Sequence, residues 1–143
     1  MSVMSVARDL LTTSWDALDP KPGRSIVQPG ATVAWDDCCD GQLWVRVISA
    51  TPVYQGNSNC AVGMDVTYAV GIVRCVTALD DRGRAPKDTK VTKDGMRTIE
   101  DMCTLHTALD GLSLGHRMQI GTWTPLGPNG GCAGGEWAVN VRL

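Results

Sequence analysis

The sequence predicts an α+β fold, a single antiparallel or mixed sheet with two helices packed on one of its faces. From Val62 to Ile72 the chain alternates strictly. Val62, Met64, Val66, Tyr68, Val70 and Ile72 point one way, and Gly63, Asp65, Thr67, Ala69 and Gly71 the other, as in an antiparallel strand with one buried face. Two further stretches set apolar residues at helical spacing, one near the start and one after residue 94. The last segment alternates again, with Trp137, Val139, Val141 and Leu143 on one side. At 143 residues, 1–143 is most simply one domain. A chain of this size buries roughly 70% of its unfolded surface in one core.

Taken in order, residues 5–18 form the first helix. Ala7, Leu10, Leu11, Ser14, Trp15 and Leu18 share its buried face, Ser5 is its expected N-cap, and the run DPKPG from Asp19 ends it. A turn and short strand are expected from Pro29 to Trp35. A strand from Gln42 to Ser49 follows, with Leu43, Val45 and Val47 facing away from Trp44, Arg46 and Ile48. Tyr54 to Asn59 is rich in turn formers and joins it to the strand that begins at Val62. Asp80 to Asp94 is polar and mixed in charge and reads as a mobile connection. The second helix carries Met96, Ile99, Met102, Cys103, His106 and Leu109 along one side, with Thr92 as its expected cap and Gly111 at C′. HRMQIGTWT and GEWAVNVRL close the chain as a hairpin around the Gly/Pro-rich loop Pro125 to Gly134. The predicted order is helix, three strands, helix, two strands.

A formal net charge of −2 supplies no global basic field, so no sequence-specific nucleic-acid binding is expected. No apolar run approaches the roughly 20 residues that span a bilayer, and no membrane association is expected. The N-terminal MSVMSVARDL lacks a basic n-region and an apolar h-region, so folding in a cytoplasm is the expectation. There the six cysteines would be reduced thiols packed as small hydrophobes.

Cys38 and Cys39 stand side by side in WDDCCDGQLWVRVIS. Adjacent Cα atoms lie about 3.8 Å apart, too close for an unstrained disulfide, and zinc ligands prefer separations of two to four residues. Cys60, Cys75, Cys103 and Cys132 are isolated, with no CxxC. A hairpin turn centred near Gly56–Asn57 would set Cys38 or Cys39 opposite Cys75, as a thiol contact or a cross-strand disulfide. Asp36, Asp37 and Asp40 before Gly41 lack the regular spacing and closing Glu of a calcium loop. His106 is expected in the core and His116 at the surface. Neither has a nucleophile or carboxylate in a recognisable motif, so no catalytic residue, metal or cofactor is expected and an enzyme is not.

The segments DDCCDGQLWVRV (Asp36–Val47), YAVGIVRCV (Tyr68–Val76) and GPNGGCAGGEWAVNV (Gly127–Val141) resemble a family of small structural proteins from long-tailed phages of actinobacterial hosts. In that family a Cys-rich GQLWVR strand, a GxxRC strand and a GGCxGG-W segment follow one another. The resemblance runs from about Trp35 to the end and rests on strand and turn signatures. It implies a head-to-tail junction protein with a tail terminator-like fold. Six copies would form a ring on the tail tube, stop its growth and meet the head connector or stopper. The implied partners are further copies of the chain, the tail tube protein and the head connector. The implied location is the junction of a virion assembled in the host cytoplasm. Another connector or stopper ring is the near alternative, and a small Cys-rich zinc or thiol module is one of a different class. For a ring, the subunit contacts are expected at Asp81, Arg82, Arg84, Lys87, Asp88, Lys90 and Lys93, against the plainer reading of a solvated loop.

Overall fold

A computed structural model describes residues 2–33, 38–78, 82–112 and 118–143. The elements are α1 (Val3–Ala17), β1 (Arg24–Val27), β2 (Gln42–Tyr54), β3 (Ala61–Cys75), α2 (Asp88–Asp110), β4 (Met118–Asn129) and β5 (Cys132–Arg142). Their order and α+β class are those expected. The five strands form one mixed sheet, β1-β2-β3-β5-β4, in which β1 runs parallel to β2 and every other pairing is antiparallel. Both helices lie on one face. Val6, Leu10 and Leu18 beside α1 and Leu105 and Leu109 of α2 share a core with Val45, Val66, Val70, Val139 and Val141.

α1 starts earlier than the expected Ser5 cap. The Ser2 hydroxyl accepts the Ser5 N–H at 3.1 Å and the Ser5 hydroxyl accepts the Ser2 N–H at 2.9 Å, so Ser5 completes a capping box at N3. At the other end Lys21 Nζ donates to the carbonyls of Trp15 (2.8 Å) and Asp16 (3.2 Å), and the Leu18 N–H donates to the same Trp15 carbonyl at 3.3 Å. The Tyr68 hydroxyl reaches from β3 to the Val3 carbonyl at 2.9 Å and pins the first turn to the sheet; burial pushes the Tyr68 pKa up.

The first strand is not Pro29–Trp35. Residues 29–33 are irregular, Ala34 and Trp35 lie outside the described residues, and the strand is RSIV, Arg24–Val27. Four largely exposed residues carry no alternation to read. β1 exists because β2 offers it a ladder, with Gln28 N–H donating to the Val45 carbonyl at 2.8 Å. β2 runs past Ser49 to Tyr54 through a bulge between Val47 and Ser49. Leu43 and Val45 are buried but Val47 is exposed, and Trp44 on the opposite face is fully buried. In β3 the face of Val66, Tyr68, Val70 and Ile72 packs under the helices, while Val62 is exposed. Ala69 and Val73 on the other face are buried too, so this strand is dry on both sides along its second half.

α2 begins at Asp88 after Lys87 at the N-cap, which absorbs much of the expected mobile connection and leaves Thr92 inside the helix. Its buried residues are Asp101, Leu105 and Leu109, and Met96, Ile99, Cys103 and His106 are exposed. The sheet-facing side is thus turned about 100°, one residue, from the apolar stripe. The cause is Asp101. It fills a core-facing position with a carboxylate, which Arg74 of β3 holds through Nε (2.7 Å) and Nη2 (3.0 Å), while the same Nη2 donates to the Pro20 carbonyl at 2.9 Å. Gly111 is the C-cap in right-handed geometry (φ −79°), not a left-handed C′ residue. The expected loop Pro125–Gly134 is largely ladder. Pro125 pairs with Gly135 and Leu126 with Gly134, and the turn lies at Gly130–Gly131. Two prolines are tolerated there because β4 is an edge strand.

Asp101→Ala strands the Arg74 guanidinium in the core and should cost about 3–5 kcal/mol, read as a lower urea midpoint, whereas Arg74→Met with Asp101→Leu should recover most of the loss. An Asp101→Ala protein as stable as the parent would mean that the pair does not hold α2 down. Val70→Asp should prevent folding altogether, and a soluble folded product would contradict the burial of that face.

Candidate functional site: the second face and the open hairpin

Among the described residues, the sheet face away from the helices is covered at one end only. Before β2 the chain turns at Gly41, whose N–H donates to the Cys38 carbonyl at 2.8 Å, and lays Cys38 over the sheet. Cys38, Trp44, Val73 and Cys132 form a small buried cluster, with Ile26, Val33 and Leu126 against it. Trp44 lies on Gly71, where any Cβ would fall inside the indole, and on the helix side Trp123 lies on Gly135 in the same way. The Trp44 indole N–H donates to Glu136 at 3.1 Å, and Arg46 holds the same carboxylate through Nη2 (2.6 Å) and Nε (3.3 Å). Trp137, on the helix side, donates to the Met102 carbonyl at 2.9 Å. The run GGCAGGEW is therefore a packing motif: a turn, a cross-link, room for the Trp123 ring at Gly135 and an anchor for Trp44 and Arg46.

Cys38 is joined to Cys132 by a disulfide, with Cα atoms 5.9 Å apart. Its Sγ also lies 3.9 Å from the Cys75 Sγ. Those two residues meet by a route other than the expected ladder. Tyr54 pairs with Ala61, which moves the hairpin centre to Asn57–Ser58, and the β2–β3 ladder ends at Gln42–Val73. Cys38 lies beyond it and folds back over the sheet. The ladder partner of Cys75 is Cys132, from β5. Cys39 is exposed and shares a shallow cavity with Lys21, Asp40, Arg74, Cys75 and Arg97. Cys60 and Cys103 are exposed as well, so the expectation of six thiols packed in the core is wrong. The thiols sit on turns, a strand end and the outer side of a helix, and the two buried sulfurs are oxidised.

Among the described residues no three His, Cys, Asp or Glu side chains gather as metal ligands would. Asp36, Asp37 and His116 lie outside the described residues. His106 is not a core histidine. It is exposed against Trp137, ring centroids 5.2 Å apart, because α2 turns its apolar stripe away from the sheet.

The seven charged residues expected at a subunit contact do not form one loop. Asp81 lies outside the described residues, Arg82 and Arg84 precede the helix, Lys87 is its N-cap, and Asp88, Lys90 and Lys93 occupy its first turns. The helix reaches back this far because Asp88 sits in the first turn, where a carboxylate is favoured by the unpaired N–H groups. The six described residues are exposed, and Val91, Met96 and Ile99 are exposed among them.

Sequence reasoning missed the feature at the opposite end of the sheet. β1 pairs with β2 only over Gln42–Val45, and among the described residues no strand lies along the edge of β2 away from β3 between Arg46 and Tyr54. The chain after β4 stays beside β3 only as far as Met64. The hairpin beyond is an arm on which Tyr54 (54%) and Val62 (62%) are exposed, and Val47 and Ile48 are exposed on β2 just before it. From Val47 to Met64 eighteen consecutive residues carry no Asp, Glu, Lys or Arg. The charges that bound this stretch are paired inside the chain, Arg46 with Glu136, and Asp65 with Arg142 (Nη2 to Oδ2, 2.8 Å). The Arg142 hydrogen bond holds the exposed Asp65 carboxyl below its usual range, a small contribution that is present above the ordinary Asp pKa and lost as pH falls through the lowered one. Met64 exchanges backbone hydrogen bonds with Leu143, so Pro52 opposite turns its ring nitrogen to the open side and removes one donor from that edge. The uncharged run was visible in the sequence; the absence of a neighbouring strand was not.

No protein-family model matches the chain, and no curated protein matches its sequence.

Gly71→Val would drive a side chain into Trp44 where neither strand can retreat. It should cost about 1–3 kcal/mol or more in urea unfolding. Unchanged stability would mean that the indole does not rest on the strand.

Proposed function

We propose that the chain is a ring-forming assembly protein of the head-to-tail junction of a long-tailed phage, the tail terminator that caps the tail tube and presents a surface to the head connector. The observation that carries this reading is the pair of unlike apolar surfaces at opposite ends of β3. The uncharged arm projects from its start. The exposed half of α2, with Val91, Met96 and Ile99, lies near its end, where the Thr77 N–H donates to Asp94 at 2.8 Å. Fifteen strand residues at about 3.4 Å each separate the two by roughly 50 Å. Surfaces that differ and lie at opposite ends suit a heterologous contact, in which each subunit gives its arm to the next, and such contacts close into rings. An edge strand without charges, left open, would also invite uncontrolled pairing; a fixed neighbour removes that hazard. Lys87, Asp88, Lys90 and Lys93 would flank the seat of the arm and set its register, each worth only ~0–1 kcal/mol. Six copies on the tail tube follow from the resemblance stated above. A connector or stopper would use the same contacts with another copy number.

Val62→Lys and Ile99→Lys replace exposed side chains and should leave the isolated chain within about 0.5 kcal/mol of the parent. Either should yield tails of uncontrolled length or heads and tails that fail to join when supplied in place of the parent during infection. Normal particles from both variants would sink the arm-to-helix contact. Normal joining in the complete absence of the protein would sink the junction role.

A further inference from the structure

Three sulfurs from three separate elements meet under the second face, which is more than packing requires. Cys38 comes from the turn before β2, Cys132 from the start of β5 and Cys75 from the end of β3. The Cys38–Cys132 disulfide is buried, each residue 3% exposed. Cys75 is a free, exposed thiol whose Sγ lies 3.9 Å from that of Cys38, about van der Waals contact for sulfur, and its backbone is already paired with that of Cys132. An exposed thiol can give its proton to water and become the nucleophile, and a sulfur in contact with it is the one attacked. We propose that these residues form an internal thiol–disulfide exchange centre, in which Cys75 moves the cross-link of Cys38 from β5 to β3.

The step balances without an outside oxidant or reductant. The Cys75 thiolate forms a bond to Cys38 Sγ as the Cys38–Cys132 bond breaks. The electron pair of that bond leaves on Cys132, which takes up the proton Cys75 released. Cys75 and Cys132 are ladder neighbours, so the backbone of β3 and β5 need not move, and only the Cys38 side chain is passed between them. In one state the segment before β2 is tied to the β4–β5 hairpin. In the other it is tied to the central strand, and Cys132 beside the Gly130–Gly131 turn is a free thiol. The centre is independent of the arm and α2, and its failure would leave the assembly contact standing.

The test uses the oxidised full chain held at pH 8, quenched in acid, its free thiols labelled and its disulfide-linked peptides identified by mass spectrometry. Wild type should give both Cys38–Cys132 and Cys38–Cys75 peptides. Its Cys132 should label about tenfold or more above that of Cys75→Ala, with Cys75→Ser behaving as Cys75→Ala does. Cys132 labelling that is unchanged by loss of Cys75 would overturn the proposal. So would a Cys75–Cys132 peptide in place of Cys38–Cys75, because the attack would then fall on the other sulfur.

Discussion

The bidentate pair between Arg74 and Asp101 decides where everything on the helical face can sit. Both charges are almost out of water, so neither can be left alone, and breaking one side is far more costly than the pair itself is stabilising. Arg74 spends a further donor on the Pro20 carbonyl, which draws in the link between α1 and β1. One side chain of the central strand therefore locates both helices. The pair also rotates α2 so that its apolar stripe looks outward. A 23-residue helix that is anchored from Asp101 onward is left with an exposed, partly apolar first half. In the assembly proposed above that half receives a neighbour's arm.

The second face works by a different rule. β3 alternates large and small residues, and the small ones make room for a ring rather than for solvent. Trp44 occupies the space over Gly71, and Glu136 satisfies its indole N–H, so a polar residue is needed in an otherwise apolar layer. Cover ends where this layer ends. Toward the turn between β2 and β3 neither a helix nor a loop among the described residues lies over the hairpin, and the side chains there are uncharged. A bare surface of that kind is what the proposed assembly contact would cover.

Much of the fold was legible because it is written in local periodicity. The alternation of Val66, Tyr68, Val70 and Ile72, the helical spacing of Leu10 and Leu11, and the last strand through Val139 and Val141 all read correctly. Three things failed for one reason, that their stabilisation is non-local. β1 is held by its ladder with β2 and has no pattern of its own. The buried face of α2 is marked by a carboxylate whose partner is 27 residues away. The Gly/Pro-rich segment pairs because β4 is an edge, which no local signal announces. The cysteines were half legible. Cys38 does meet Cys75, but by folding back over the sheet and not along the β2–β3 ladder, and its bond goes to Cys132, which only the folded sheet sets beside Cys75.

Backbone hydrogen exchange along β2, in the free chain and in assembled particles, tests the central claim most directly. If the arm is taken up by a neighbouring copy, the amides that face the open edge between Arg46 and Tyr54 should exchange quickly in the free chain. They should slow by about 100-fold or more in the particle, together with the first turns of α2. Amides that exchange at the same rate in both states would mean that the arm stays bare, and the account of the chain as a ring protein would fail with it.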